Sequence, residues 1–319
     1  MKQQMVIGID IGGTNTVVGL VNKDGECTEN ISFSTKQGNS FEDYFTIFVK
    51  NISDLITKNK DVEIIGFGIG APNANYYTGI VENAPNLNWH GTIKLKQIVE
   101  QAFKVPTYIT NDANAAAIGE MLFGGAKNMK EFVVITLGTG LGSGFVTNGN
   151  VLYGYSGFAG ELGHTTVVKD GRQCGCGRKG CLETYVSATG ITRTMIELLE
   201  NKTVESELRN YNINEITSKH IFDAAKNGDK LAIEAFEFTG EMLGLSLANM
   251  VAITSPEAIF LFGGLAQSGD FIFKPTIKSF NENLLTCFTG TVKILESGLK
   301  GNMTAVLGSA ALCWNELNK

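Results

Sequence analysis

Between Glu161 and Glu183 the chain gathers one histidine, three cysteines and two glutamates: Glu161-Leu-Gly-His164, then Cys174-Gly-Cys176 and Cys181-Leu-Glu183. One imidazole and three thiolates make a complete tetrahedral set for zinc, and no carboxylate is needed to fill it. Glu161 and Glu183 are therefore spare acids on the two edges of a metal loop, and they suit a polar ligand. The spacing is unusual, with one residue between Cys174 and Cys176 and four before Cys181; common zinc modules leave about two to four. On spacing alone a redox thiol pair and inert thiols stay open as alternatives. Gly175, Gly177 and Gly180 tilt the reading toward metal, because they permit the tight positive-φ turns that bring three sulfurs onto one ion.

Three glycine turns share a second chemistry: Asp10-Ile-Gly12-Gly13-Thr14-Asn15, Leu137-Gly138-Thr139-Gly140 and Phe262-Gly263-Gly264. Glycine lets backbone N–H groups approach an anion closely, and Thr14 and Thr139 add hydroxyl donors. Any one of these turns alone reads equally well as a tight hairpin; three at strand ends point to phosphate. The two common nucleotide fingerprints are absent. No Gly-Lys-Ser/Thr follows a glycine loop, and Ser143 stands where a dinucleotide motif needs glycine. Asp10 precedes the first turn, where a carboxylate can hold Mg²⁺ beside phosphates, although an isolated Asp there is more often a turn residue. Asn111-Asp112 opens an Ala-rich segment. Its plain reading is an Asx cap on a helix; its functional reading is a carboxylate that accepts a proton from a hydroxyl.

The elements that must carry these groups follow from periodicity. Val6–Asp10, Val17–Val21 and the stretch to Phe33 read as three strands joined by turns, and Phe41 to Asn59 has helical spacing. Ile64–Ile69 is a buried strand. The same grammar returns with strand Phe132–Leu137, a glycine turn through Gly144 and a strand from Phe145. Helices at Ile221–Ala225 and Ala232–Ile253 and a strand at Ile259–Phe262 follow. This predicts a duplicated α/β architecture with a cleft between lobes. Thr304–Leu317 predicts a closing helix.

The whole chain bounds the function. It has 319 residues, 43% hydrophobic, with a net charge of −6 and a pI near 5.3. No basic stripe suggests nucleic acid, and no apolar run is long enough for a membrane span. The start has no apolar signal segment, so a cytoplasmic protein is expected. Cys27, Cys287 and Cys313 read as small buried apolar residues. Gly240, Gly244 and Ala248 repeat small residues on one helix, which suits either an interface or internal packing.

Taken together, these residues resemble the ROK family of sugar kinases, from Ile7 to about Ala311. The turns at Asp10–Thr16 and Leu137–Gly144 look like the family's phosphate motifs, and Phe262–Leu265 looks like its adenosine motif. Asn111-Asp112 matches its catalytic pair. Glu161-x-x-His164 followed by Cys174-x-Cys176-x4-Cys181-x-Glu183 matches its signature at every position. The resemblance implies an α/β, two-lobed actin-like or hexokinase-like ATPase fold of duplicated ribonuclease-H-like domains. Residues 1–112 would form a small lobe, with the C-terminal helix 304–319 packing back on it. Residues 113–303 would form a large lobe containing the zinc loop 161–183.

It also implies roles. Asp112 is the general base toward the 6-hydroxyl of a hexose, and Asn86, Asn111, Glu161, His164 and Glu183 bind its other hydroxyls. Asp10, Gly12, Gly13, Thr14, Asn15, Gly138, Thr139, Gly140, Gly263 and Gly264 hold ATP, with Mg²⁺. His164, Cys174, Cys176 and Cys181 hold a structural Zn²⁺. Glucose is the expected acceptor, as in the first step of glycolysis; N-acetylglucosamine, N-acetylmannosamine, mannose and fructose are alternatives. Many members have Gly where this chain has Asn73, a departure near the sugar contacts. The family also contains sugar-responsive repressors, but about five residues precede the first strand, too few for a helix-turn-helix domain. A dimer or tetramer is expected.

Overall fold

Met5, Val6, Ile7, Ile9 and Ile11 are all buried, so the strand that carries them is covered on both faces. The computed structural model describes residues 2–38, 40–84, 87–89, 91–299, 301 and 303–319. In chain order its elements are β1 (Gln3–Ile11), β2 (Asn15–Val21), β3 (Cys27–Ser34), α1 (Phe41–Lys58), β4 (Val62–Gly70), β5 (Ala74–Asn75), β6 (Ile80–Glu82) and β7 (Thr92–Ile93). Next come α2 (Leu95–Phe103), β8 (Thr107–Thr110), α3 (Asp112–Leu122), β9 (Phe132–Leu137), β10 (Leu141–Thr147), β11 (Asn150–Val151) and α4 (Ala188–Asn201). The chain ends with α5 (Ser218–Lys226), α6 (Lys230–Thr254), β12 (Ala258–Phe262), α7 (Asp270–Asn283), β13 (Lys293–Glu296) and α8 (Thr304–Leu317).

The duplication is explicit in the sheets. Two five-stranded sheets have the orders β3-β2-β1-β4-β8 and β11-β10-β9-β12-β13, and β5, β6 and β7 make a third, three-stranded sheet; in both five-stranded sheets the strand that comes first in the chain lies in the middle. β1 runs antiparallel to β2 and parallel to β4, and β9 runs parallel to β12. Both five-stranded sheets follow one wiring plan, in agreement with the two-lobed α/β fold.

Two compact units divide the chain. The first comprises Met1–Met129, Gly144–Ala159 and Ser297–Lys319; the second comprises Lys130–Ser143 and Gly160–Glu296. Helix α3, residues 144–159 and residues 297–303 thus group with the first unit, outside the 1–112 boundary expected from the sequence. The reason is close packing of small residues. A Cβ on Gly308 of α8 would lie 2.6 Å from the Ala115 carbonyl, and one on Gly119 would lie 3.0 Å from the Gly308 Cα. These helices approach backbone to backbone.

In the first unit, one face of the sheet packs Ile7, Ile9, Phe67 and Ile69 against Tyr44, Phe48 and Ile52 of α1. The other packs Val6 and Val21 against Val306, Ala310 and Trp314 of α8. Gly8 and Gly68 admit α8, because a Cβ on either would strike its backbone. In the second unit Gly240 and Gly244 of α6 pack on Pro275, Thr276 and Phe280 of α7, so the small-residue repeat serves internal packing. Cys313 is buried as expected, but Cys27 is only partly covered and Cys287 is exposed; Cys287 lies in a short surface turn at Thr286–Phe288. No helix among the described residues is long and apolar enough to cross a membrane.

Candidate functional site

In the first unit, β1 delivers Asp10 to its C-terminal end and the chain turns through Gly12 to Asn15. The Gly12 N–H donates to the Asn15 carbonyl at 3.0 Å, which closes the turn, and Thr14 and Asn15 stand exposed on it. A buried hydroxyl chain backs the turn: Thr16 Oγ1 lies 2.9 Å from both Thr35 Oγ1 and Tyr44 Oη.

Asn111 and Asp112 lie where β8 gives way to α3. Asn111 Oδ1 accepts from the Asn114 N–H at 2.7 Å, so the capping reading of this residue holds, and its NH₂ is the donor it can offer a ligand. Asp112 opens the helix, with the Ala113 N–H donating to its Oδ1 at 3.0 Å. Its side chain meets solvent, yet enough protein surrounds the carboxyl that burial raises its proton affinity, against the lowering effect of the Ala113 N–H. Asp10 is raised as well, to about 7, first by burial and then by the charge of Asp112. Two carboxylates therefore share a field in this unit, and a cation beside Asp10 would relieve it. Asn86 lies outside the described residues.

In the second unit the other two glycine turns meet. β9 and β12 pair in parallel, with Phe262 opposite Thr136, so both turns leave the same end of the sheet. A Cβ on Gly263 would lie 2.6 Å from the Leu137 carbonyl, and its φ of +103° also requires glycine. The N-terminus of α4 holds the Gly138–Gly140 turn from the side. The Ala188 N–H donates to the Gly138 carbonyl at 2.9 Å, and Thr189 Oγ1 donates to the Thr139 carbonyl at 2.9 Å.

The His/Cys loop folds beside that turn. Residues Thr166 and Cys181 form an antiparallel bridge, which brings His164 back to the cysteines. Ligand atoms of His164, Cys174, Cys176 and Cys181 all lie within 4.8 Å of one another. The Cys176 and Cys181 sulfurs are 3.7 Å apart, and Cys174 Sγ is 3.7 Å from His164 Nδ1. The sulfur–sulfur separation is far beyond a disulfide and matches the edge of about 3.8 Å expected for a tetrahedron with metal–sulfur bonds near 2.3 Å. Burial would raise the Cys176 thiol, but the Arg178 N–H and the neighbouring thiols bring it down to about 7. The group could hold a metal ion.

Glu183 joins this loop to the glycine turn. Its Oε1 lies 3.6 Å from Cys174 Sγ, and its Oε2 accepts from the Leu141 N–H at 3.1 Å. Glu161 begins the short turn that ends at His164. Two contributors were not singled out in the sequence. Arg178 Nη2 donates to the His164 carbonyl. Arg172 fastens the loop to α4, donating to the Thr184 carbonyl at 2.8 Å and to Glu197 Oε1 at 2.9 Å, with its guanidinium over the Tyr185 ring. An arginine before or between closely spaced cysteines was the available signal for both.

The chain is 34% identical to the glucokinase of Halalkalibacterium halodurans, covering 100% of this chain and 97% of that protein. It is 31% identical to the xylose repressor of Caldicellulosiruptor bescii, covering 98% of this chain and 78% of that protein. Among solved structures, a ROK family glucokinase from Streptomyces griseus, in complex with glucose and AMPPNP, superposes with a TM-score of 0.80 at 31% identity, covering 97% and 98% of the two chains. The model of the ROK family matches residues 6–316, and the chain belongs to that family.

Proposed function

We propose that this protein transfers the γ-phosphoryl group of ATP to the 6-hydroxyl of glucose. The observation that carries the reading is Asp112, a carboxylate fixed at the first turn of α3 with its proton affinity raised by burial. It sits in a chain similar from end to end to a glucokinase. Phosphoryl transfer has a loose transition state, so a kinase mostly positions its reactants and neutralises charge. Asp112 orients the sugar hydroxyl and accepts its proton late, a task that suits a carboxylate whose proton affinity burial raises.

The Asn111 amide, whose oxygen is used in the cap, donates to a second hydroxyl. Glu161 and Glu183 accept from the others, rigid carboxylates on a pinned loop doing so at little entropic cost, and His164, with one ring nitrogen on the metal, donates its other ring N–H to the sugar. Backbone N–H groups of the three glycine turns take the nucleotide phosphates and adenosine. Asp10 would hold Mg²⁺, which supplies charge neutralisation beside the phosphates. His164, Cys174, Cys176 and Cys181 would hold Zn²⁺; with four protein ligands it aims the loop and activates no water. The same reading implies a cytoplasmic homo-oligomer.

A coupled ADP-release assay across hexoses and N-acetylhexosamines, with ATP and polyphosphate as donors, tests this. Glucose should give the highest kcat/KM, and Asp112→Ala should abolish turnover while sugar binding stays measurable. Retained turnover in that variant would sink the assignment of the base. The similarity to a xylose repressor favours one second reading, a sugar-responsive regulator; binding of sugar without ADP release from any panel member would select it.

A further inference from the structure

Glu161 has a distinctive backbone. Its φ of −81° and ψ of 55° are those of the central residue of an inverse γ-turn. The turn is closed by the Leu162 N–H, which donates to the Gly160 carbonyl at 3.0 Å. One side chain grips both ends of it. Ser143 Oγ donates to the Gly160 carbonyl and accepts from the Leu162 N–H at 3.1 Å. The hydroxyl thus bridges the two peptide groups that flank Glu161, and Ser143 is only 4% exposed, so water does not replace it readily.

A γ-turn by itself is held by one bent hydrogen bond. Gly160, with a φ of +93°, is a residue free to leave that conformation. The carboxylate of Glu161 would then be aimed by a soft hinge. Ser143 stiffens the hinge from β10, which is itself fixed: the Gly142 N–H donates to Thr136 Oγ1 at 3.2 Å, and a Cβ on Gly163 would strike the Leu141 carbonyl. The same strand holds the second acid, through the Leu141 N–H on Glu183.

We propose that Ser143 is a positioning residue for sugar recognition, clamping the γ-turn that aims Glu161, so that the strand leaving the Gly138–Gly140 turn sets both sugar-binding acids. This rests on the reading of Glu161 as an acceptor for a sugar hydroxyl. The serine that breaks a dinucleotide motif in the sequence then has a task of its own.

The experiment compares Ser143→Ala, Ser143→Cys and Ser143→Thr with Glu161→Gln in the full-length protein. Steady-state kinetics with glucose and ATP are combined with hydrogen exchange of the Leu162 amide. Ser143→Ala should raise the glucose KM about tenfold, as expected for the loss of two buried hydrogen bonds, with kcat and the ATP KM changed by less than about twofold. Ser143→Cys, similar in size but a weak hydrogen-bonding group, should act alike if the alanine variant folds poorly. Ser143→Thr keeps the hydroxyl and should restore the glucose KM. Exchange at Leu162 should quicken about tenfold in the alanine and cysteine variants.

Unchanged Leu162 protection in both variants overturns the clamp whatever the kinetics do. An unchanged glucose KM in them, with a raised KM in Glu161→Gln, overturns the positioning role while the sugar reading stands. An unchanged glucose KM in Glu161→Gln instead removes Glu161 from the sugar site, and the positioning role with it.

Discussion

Gly140 and Glu183 occupy each other's space: a Cβ on Gly140 would run into the Glu183 carboxylate, whose Oε2 is held by the Leu141 N–H at 3.1 Å. Gly140 is therefore what lets an acid of the His/Cys loop reach the Gly138–Gly140 turn. Gly140→Ala should fold, because the obstacle is the far end of a flexible side chain, and its melting temperature should stay within a few degrees of wild type. It should still displace Glu183 and raise the glucose KM about tenfold or more. Steady-state kinetics check this, and a wild-type sugar KM would contradict it.

The Asp10 carboxyl makes stability depend on pH in a definite direction. Burial and the charge of Asp112 raise it from 3.8 to about 7, so the folded state binds its proton more tightly than the unfolded chain does. That contribution is fully present below 3.8 and is lost as pH rises through about 7. The full loss is on the order of 4 kcal/mol. Asp10→Asn keeps the side-chain shape without the charge. It should melt at a higher temperature than wild type above pH 7, with the gap closing toward pH 4, while losing kinase activity. Thermal unfolding across that range checks the sign, and parallel curves for the two proteins would rule it out.

Much of this arrangement is readable in the chain because apolar runs and caps are local. The closing helix spans Thr304–Leu317 as periodicity predicts, and Asn111 caps α3 as its residue type suggests. Where glycine is a strand residue, the reading falters. β10 begins at Leu141, before the expected restart at Phe145, because Gly142 and Gly144 lie within the strand itself. The grouping of α3 with the first unit depends on Gly119 and Gly308 meeting across almost two hundred residues, which no local pattern records. Ser143 could be found only once the Gly160 carbonyl and the Leu162 N–H were seen on either side of its hydroxyl.

The four-ligand loop should carry one zinc ion per chain, measurable by elemental analysis. Cys181 is fully buried, and Cys174 Sγ lies 3.6 Å from Glu183 Oε1, so a metal held there and Glu183, the acid proposed to bind sugar, would share one piece of backbone. Removal of the ion with a chelator, or Cys181→Ser, should lower the melting temperature and weaken glucose binding by more than about tenfold. Calorimetric titration with glucose before and after chelation reads the second effect directly. Unchanged affinity in the metal-free protein would separate the ion from the sugar site.

Glu120 lies two helical turns after Asp112 on α3 and is 1% exposed. Its carboxylate accepts from the Gly125 N–H at 2.7 Å, the Gly298 N–H at 3.2 Å and the Leu299 N–H at 3.4 Å, and also from the Ser297 hydroxyl. These donors belong to the segments 124–125 and 297–299, close to the ends of two stretches of the first unit. Charge-assisted bonds from backbone N–H groups hold a buried carboxylate well, and their loss is costly because the donors stay buried. Glu120→Ala strands them together and should destabilise the protein by about 3–5 kcal/mol, each orphaned donor costing about 1–3 kcal/mol before relaxation. Glu120→Gln keeps one acceptor oxygen but faces an NH₂ toward backbone donors, so it should lose about half as much. Urea unfolding followed by circular dichroism measures both. A loss below about 1 kcal/mol in the alanine variant would mean that water takes over the four donors and that this carboxylate does not tie the two segments to α3.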